Sequence, residues 1–382
     1  MNAEIRSQFP VLSQMTYLAS HSLGAVPVKT SEALQEYYQL WATLGVGVWG
    51  KPWSDSIPDF ARQIGKVIGA PGEAIVPMEN VTRGMAAVAS CFDYSGKRNR
   101  VVMTDLEFLT SYPFWQGLRS QGAEIVLVKS EDGGITVPTE KLIAAIDDRT
   151  LIVPTSHVYF RSGAVQDLKA VTEAAHKMGA YVLGDGYQSV GVVPMNLTEM
   201  NIDFYVGGSH KWLCGGPGAG FLYVRPDLIS KLTPKLAGWF GITDPFKYEA
   251  TTEFKPAEGI SRFLAGTPSI PALYAAREGI NAVLKVGMKQ VREHSEKLTR
   301  EIIQQADDRG FEVRTPRDAA QRSGMVCLQF MHSKEVAARI NQDGVVVDWR
   351  PNCGIRVSPH FYNLSSEITR FFEATDQALK TL

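Results

Sequence analysis

Short apolar runs recur through the middle of the chain, separated by stretches whose apolar positions repeat every three or four residues. The runs 100–104, 124–128, 151–155, 181–185, 203–207 and 220–224 are rich in Val, Ile, Leu, Phe and Tyr and predict buried strands. Between them, 139–146 places Leu142, Ile143 and Ile146 on one helical face, and 167–178 does the same with Leu168, Val171 and Ala175. Buried strands alternating with amphipathic helices predict an α/β fold built on a large, doubly wound, mostly parallel sheet.

The pattern changes beyond this region. Residues from Pro271 to the Arg309–Gly310 stop read as helix, a connector between two units. The runs 311–314, 325–328, 345–348 and 355–357, closed by a helix over 365–382, predict a small α+β domain. The expected organisation is therefore a segment 1–30 packing on the small domain, a large domain over 31–265, and connecting helices with the small domain over 266–382. The Gly/Trp-rich stretch Trp41–Trp53 fits neither periodicity and is expected to be irregular, either a pocket wall or interface or a packed arm.

Composition narrows the classes. The 382 residues are 45% hydrophobic and 21% charged, with a net charge of −1. That balance, without a Lys/Arg block, argues against nucleic acid as the partner. No basic stretch leads into an apolar core at the start, and no run is long enough to span a bilayer, so a cytoplasmic, non-membrane protein is expected. Cys91, Cys214, Cys327 and Cys353 have neither disulfide-framework nor zinc spacing, and no metal is expected.

Candidate chemistry gathers where strands end. Asp185 closes one apolar run, where it could meet a protonated ring nitrogen or simply cap the next helix. Lys211 follows Gly207-Gly208-Ser209-His210 and precedes a glycine-rich loop that suits close backbone approach to a ligand; its amine could meet an aldehyde and serve as a base. Ser209 could donate to a phosphate, and His210 could cover a ring or relay a proton. Asn80-Val81-Thr82 begins an Ala/Val-rich helix whose free N–H groups could bind an anion. Arg356 interrupts an apolar strand, as a carboxylate receptor or as half of a structural ion pair.

Together these segments resemble fold-type I pyridoxal 5'-phosphate (PLP) enzymes of the class V aminotransferase superfamily, and kynureninases most closely. Tyr17-Leu18-Ala19-Ser20-His21-Ser22-Leu23-Gly24 is similar to the kynureninase opening, and Gly238-Trp239-Phe240-Gly241 to a tryptophan motif of that family. The resemblance implies PLP as cofactor and Lys211 as its Schiff-base lysine. Asp185 would bind the pyridine nitrogen, Gln188 would approach the phenolic oxygen, and Phe108 would stack on the ring. Val81, Thr82, Ser156, Ser209 and His210 would complete the cofactor site. Arg356, His21 and Ser22 would face the substrate. A homodimer with shared active sites is also implied, Trp239 and Thr267 serving the neighbouring subunit.

The activity implied is PLP-dependent chemistry on an α-amino acid, with kynureninase-like hydrolysis of a Cβ–Cγ bond as the main expectation. Several positions depart from the kynureninase pattern: His210 replaces its tyrosine, Ala265-Gly266-Thr267-Pro268 its Ser-Asn-Pro-Pro, and Ser111 its aspartate. His210, Gln188 and Gly266-Thr267-Pro268 resemble instead cysteine desulfurases and isopenicillin N epimerase. An aminotransferase, epimerase or β-lyase is the alternative. Cys353, close to Arg356 in a short turn, is expected to be a bystander.

Overall fold

The computed structural model describes residues 3–248, 250 and 252–382. After a short first strand, β1 (Thr16–Tyr17), seven strands build the large sheet: β2 (Ile75–Met78), β3 (Arg100–Thr104), β4 (Glu124–Val128), β5 (Thr150–Ser156), β6 (Tyr181–Asp185), β7 (Phe204–Gly208) and β8 (Gly220–Val224). Their order is β2-β8-β7-β6-β5-β3-β4. β5, β7 and β8 are buried along their whole length, as their unbroken apolar runs require. β4 forms the edge, where Leu127 stays exposed.

The strands β3 to β7 pair in parallel, and β8 runs against both of its neighbours. The cause lies in the connections. Helices Ser111–Gly117, Thr139–Ala144, Leu168–Lys177 and Leu197–Met200 fill the parallel crossovers. The link from β7 to β8 is a helix-free loop, which returns the chain antiparallel. Asp167 sets the start of its helix by accepting from the Ala170 N–H.

The small sheet comprises β9 (Glu312–Val313), β10 (Val326–Gln329), β12 (Asp348–Arg350) and β13 (Gly354–Val357), all antiparallel in the order β12-β13-β10-β9. A further strand, β11 (Val345–Val346), leaves that sheet and pairs in parallel with β1, which ties the N-terminal segment to this part of the chain. The run expected as one strand over 345–348 is thus divided. Asn341 explains the break: its side chain accepts from the Val347 N–H and donates to the Val347 carbonyl.

Two further expectations are revised. The connector is two helices, Ile270–Val286 and Met288–Asp307, separated at Gly287, whose φ of 85° interrupts the helical path. The Trp41–Trp53 stretch is more regular than its pattern suggested. Helix Lys29–Leu44 runs into a 3-10 turn, Gly45–Gly50, and helix Pro52–Ile68 follows. Tyr37 stacks on Trp53 at 5.0 Å, with Trp41, Trp49 and Tyr274 around them. Aromatic packing between helices, rather than a polar/apolar alternation, decides the conformation there.

Candidate active site

The carboxyl ends of the parallel strands converge on one cavity of 240 Å³, where open α/β sheets place their ligands. Asn80, Val81 and Thr82 reach it after β2, Phe108 and Thr110 after β3, Ser156 from the end of β5, and Val158 and Phe160 just beyond it. Asp185, Tyr187 and Gln188 come from the end of β6, and His210 and Lys211 from beyond β7.

At one side the helix Val81–Ala89 points its N-terminus at the cavity. Asn80 caps it by accepting from the Arg83 N–H at 3.0 Å, and Thr82 Oγ1 lies 3.0 Å from Thr110 Oγ1. Gly84 allows the helix to lie against β7, since a Cβ there would stand 2.7 Å from the Val206 side chain. First-turn N–H groups and two hydroxyls form a set that can hold a phosphate.

Lys211 Nζ lies 4.7 Å from the centre of the Tyr187 ring and 5.5 Å from that of Phe108. Burial lowers its amine to about 8 against the opposing charge of Asp185, and Arg356 lowers it further. The site therefore keeps a sizeable fraction of nucleophilic, unprotonated amine near neutral pH. The N-terminal segment closes over this lysine. Gly24 donates its N–H to the His210 carbonyl at 2.8 Å, and a Cβ at position 24 would collide with the Lys211 carbonyl.

Asp185 is buried, and burial raises its carboxyl above the usual range, opposed by the Tyr187 N–H at 2.9 Å and by Lys211. A cationic ring nitrogen in the cavity would favour its ionised form. A second buried carboxyl, Glu107, accepts from Thr104 Oγ1 at 2.6 Å and from the Ser156 N–H and hydroxyl at 2.7 and 2.6 Å. Burial pushes Glu107 up to about 7 against those hydrogen bonds, and the Asp185 charge adds to the rise. Ser156, in register with Asp185 across β5 and β6, has its hydroxyl committed to Glu107.

His210 lines the cavity with Nδ1 2.8 Å from the Tyr187 hydroxyl. Burial lowers the imidazole to about 4, with Lys211 contributing, and burial also raises the Tyr187 phenol, so both are neutral at neutral pH. Gln188 donates to the His21 carbonyl at 3.0 Å and accepts from Trp212 Nε1 at 3.0 Å, which leaves one amide N–H for a ligand. Ser209 is buried behind the cavity and donates to the Gly216 carbonyl at 2.8 Å.

Arg356 is buried in a cluster that its strand pattern alone left undecided. Its guanidinium donates to both oxygens of Asp348, at 2.7 and 2.5 Å, and to the Phe160 carbonyl at 2.9 Å. His21 joins from the N-terminal segment, with Nε2 3.0 Å from Asp348 and Nδ1 2.5 Å from Ser358 Oγ. Burial lowers His21 to about 4, and Arg356 adds to this. A neutral imidazole there donates from Nε2 to the carboxylate and accepts at Nδ1. Burial works to raise the Asp348 carboxyl, but the bonds from His21 and Arg356 outweigh it and hold it well below the usual range.

The remaining candidates lie apart from this cavity. Ser22, Trp239 and Thr267 are exposed, and none of them lines it. The four cysteines are free, and burial raises the Cys353 thiol. Tyr187, Glu107, Asp348 and Phe160 were not anticipated; the aromatic spacing Phe108, Phe160, Tyr187 is the one signal that could have pointed to a walled ring site.

With this geometry in view, the chain belongs to the class V aminotransferases: the family described as "Aminotransferase class-V" matches residues 16–371. It is a PLP-dependent enzyme of fold type I, homologous to kynureninases. An uncharacterized aminotransferase of Bacillus subtilis, YcbU, is 32% identical over 368 residues, covering 96% of this chain and 95% of that protein. A kynureninase of Geobacillus thermodenitrificans is 27% identical, covering 93% and 86%. Among solved structures, the apo cysteine desulfurase of Thermococcus onnurineus superposes with a TM-score of 0.88 at 23% identity, covering 99% of this chain and 98% of that one. Among the described residues, no helix is long and apolar enough to cross a membrane.

Proposed function

We propose that this enzyme is an aminotransferase that moves the amino group of a small-molecule amino acid, with Lys211 as the residue that carries and returns the α-proton. The observation that supports it most is the placement of the buried Lys211 amine, shifted to about 8, in one cavity with Asp185 and a helix N-terminus. The donor set fits PLP: Val81 and Thr82 would hold the phosphate, Asp185 the ring nitrogen, Gln188 the phenolic oxygen, Lys211 the aldehyde carbon, and Phe108 the ring face.

When bound, PLP supplies an aldehyde for amines and a ring that accepts the electron pair of a broken bond at the α-carbon. Asp185 would keep the ring nitrogen protonated. Lys211 Nζ takes the proton from the α-carbon and delivers it elsewhere on the same face, a role for which an amine near 8 is suited. Tyr187 and Phe108 exclude water from that amine, and His210 fixes the Tyr187 hydroxyl.

Relatives bearing the name kynureninase, at 25–29% identity over nearly the whole chain, favour a second reading, hydrolysis of an aromatic β-acyl side chain. The aromatic wall of Phe108, Phe160 and Tyr187 would accept such a group. A desulfurase-type reading gains no support from Cys353, which is buried with a raised thiol. Exposed Trp239 and Thr267 support a homodimer in which each subunit completes its neighbour's site, and the free cysteines support a cytoplasmic location. We also read 31–265 and 266–382 as separate units, with 1–30 laid on the second through β1 and β11.

A product screen of amino acids, kynurenine included, with and without pyruvate separates the readings. Alanine that forms only when pyruvate is present supports transamination. Alanine and an aromatic acid formed from kynurenine without pyruvate replace it with hydrolysis.

A further inference from the structure

Asp185 is flanked by Gly184 and Gly186, and neither glycine has a positive φ, so their use here is room and not backbone freedom. The Tyr205 ring fills that room. A Cβ at position 184 would stand 2.6 Å from its Cδ2, and a Cβ at position 186 would collide with its Cε1 and hydroxyl. Tyr205 pairs with Gly184 across β6 and β7, so the sheet register sets the ring beneath the strand end. Side chains alternate along a strand, which leaves Asp185 on the opposite face, in the cavity wall.

The Tyr205 hydroxyl is both buried and tied. It lies 2.7 Å from His157 Nδ1 and 2.8 Å from Ser189 Oγ, and Ser189 Oγ lies 3.2 Å from the Gly186 carbonyl. A carbonyl can only accept, and this fixes the direction of the whole chain. Ser189 donates to Gly186, Tyr205 donates to Ser189, and His157 donates from Nδ1 to Tyr205. The main chain of His157 closes the circuit, its N–H donating to the Asp185 carbonyl at 2.9 Å. Burial lowers the His157 imidazole to about 4 and raises the Tyr205 phenol, so these side chains are neutral at neutral pH.

We propose that Tyr205 is a positioning residue for the cofactor: its ring and hydroxyl brace the strand end from beneath and fix the Asp185 carboxyl where it meets the ring nitrogen. The proposal rests on the reading of Asp185 as the partner of that nitrogen and deepens it. A buried charged pair needs its members within about 0.5 Å of the productive position. Without the Tyr205 ring the two glycines border an empty space, into which the strand end can settle and draw the carboxyl back. Loss of the hydroxyl alone leaves the ring in place and opens only the hydrogen-bonded circuit. A neutral brace suits the task, because a cation beneath Asp185 would compete with the ring nitrogen for the carboxylate.

The test uses enzyme freed of cofactor and two ligands, PLP and its deaza analogue, in which C–H replaces the ring nitrogen. Equilibrium dialysis gives a dissociation constant for each. Their ratio reports the Asp185 pairing, since a general loosening of the fold weakens both ligands alike. Wild type should prefer PLP by about tenfold or more, and Asp185→Asn should lose that preference. Tyr205→Phe, and Ser189→Ala as a second cut in the same circuit, should lower it by about threefold. Tyr205→Leu should lower it by about tenfold, because the carboxyl itself moves. Val336→Ala, which loosens the core of the small domain, should keep the wild-type ratio. If Asp185→Asn loses the preference while the Tyr205 variants and Ser189→Ala keep it, or if Val336→Ala loses it as they do, the proposal is overturned and the role of Asp185 stands. If Asp185→Asn prefers PLP as strongly as wild type does, the reading of Asp185 fails and the proposal with it.

Discussion

The Tyr187 hydroxyl lies 2.8 Å from His210 Nδ1, and the ring that carries it lies 4.7 Å from the Lys211 amine. One side chain thus touches two consecutive residues of the loop after β7, His210 and Lys211. It holds His210 through its polar end and walls the amine with its apolar face. Both groups are neutral at neutral pH, so the contact shapes the cavity without adding charge to it.

This division of labour predicts different results for two substitutions. Tyr187→Phe keeps the ring and should change PLP affinity by no more than a few-fold, the worth of one neutral hydrogen bond of about 1 kcal/mol. Tyr187→Ala removes the wall and should weaken PLP by about tenfold or more. Equilibrium dialysis of the two variants decides it. Equal affinities would show that the ring does not support the cofactor.

Lys211 carries two expectations. Borohydride treatment of the loaded enzyme should fix the cofactor to the peptide containing Lys211, and Lys211→Ala should carry no label. The second concerns stability without cofactor. The folded amine titrates near 8 and the unfolded one near its ordinary 10.5, so between these values the unfolded chain binds more protons. Stability therefore rises as pH climbs from about 8 to 10.5, by about 3 kcal/mol for a shift of this size. Lys211→Met should flatten that rise in urea unfolding curves. A difference curve without slope in this window would show that the amine is not desolvated.

Why Asp185 and Lys211 were legible in the sequence, and Asp348 was not, follows from where each sits. Asp185 and Lys211 end or follow apolar runs, and in a parallel sheet every such end faces the same edge. The alternation of strands and helices defined that sheet, although the reversal of β8 depended on a loop without helical pattern. Asp348 gains its meaning from register. It faces Arg356 because β12 begins after the Asn341 side chain has interrupted the run at Val347. Glu107 reads as one more polar residue in Thr104-Asp105-Leu106-Glu107, and its hydrogen-bond partner Ser156 stands on the adjacent strand, far away in sequence. Local pattern marks strand ends well, whereas partners distant in sequence leave no local trace.

Asp185→Asn should retain the cavity shape while removing the charge proposed to keep the ring nitrogen protonated. Turnover of whichever substrate the product screen identifies is expected to fall by about a hundredfold or more, the range for loss of one charged partner in a buried site. PLP content, measured in parallel, should fall much less. An unchanged rate at full PLP occupancy would remove Asp185 from the assigned role.

Glu107 gives the sharpest pH signature. Burial pushes its carboxyl up to about 7, from an ordinary value of 4.5. Between those values the folded chain holds a proton that the unfolded chain has released, so the stability of cofactor-free enzyme falls as pH rises from about 4.5 to 7. A shift of this size corresponds to about 3 kcal/mol across the window. Glu107→Gln cannot ionise and should remove this fall, although it loses an acceptor for the Ser156 N–H or hydroxyl and should be less stable at pH 4.5. The Asp185 charge contributes to the rise in Glu107, so Asp185→Asn should shift the fall toward lower pH. Urea unfolding of wild type and both variants across this range supplies the measurement. A wild-type profile that rises or stays level where Glu107→Gln is level would mean that Glu107 is ionised in the folded enzyme at pH 6, with its hydrogen bonds from Thr104 and Ser156 outweighing burial.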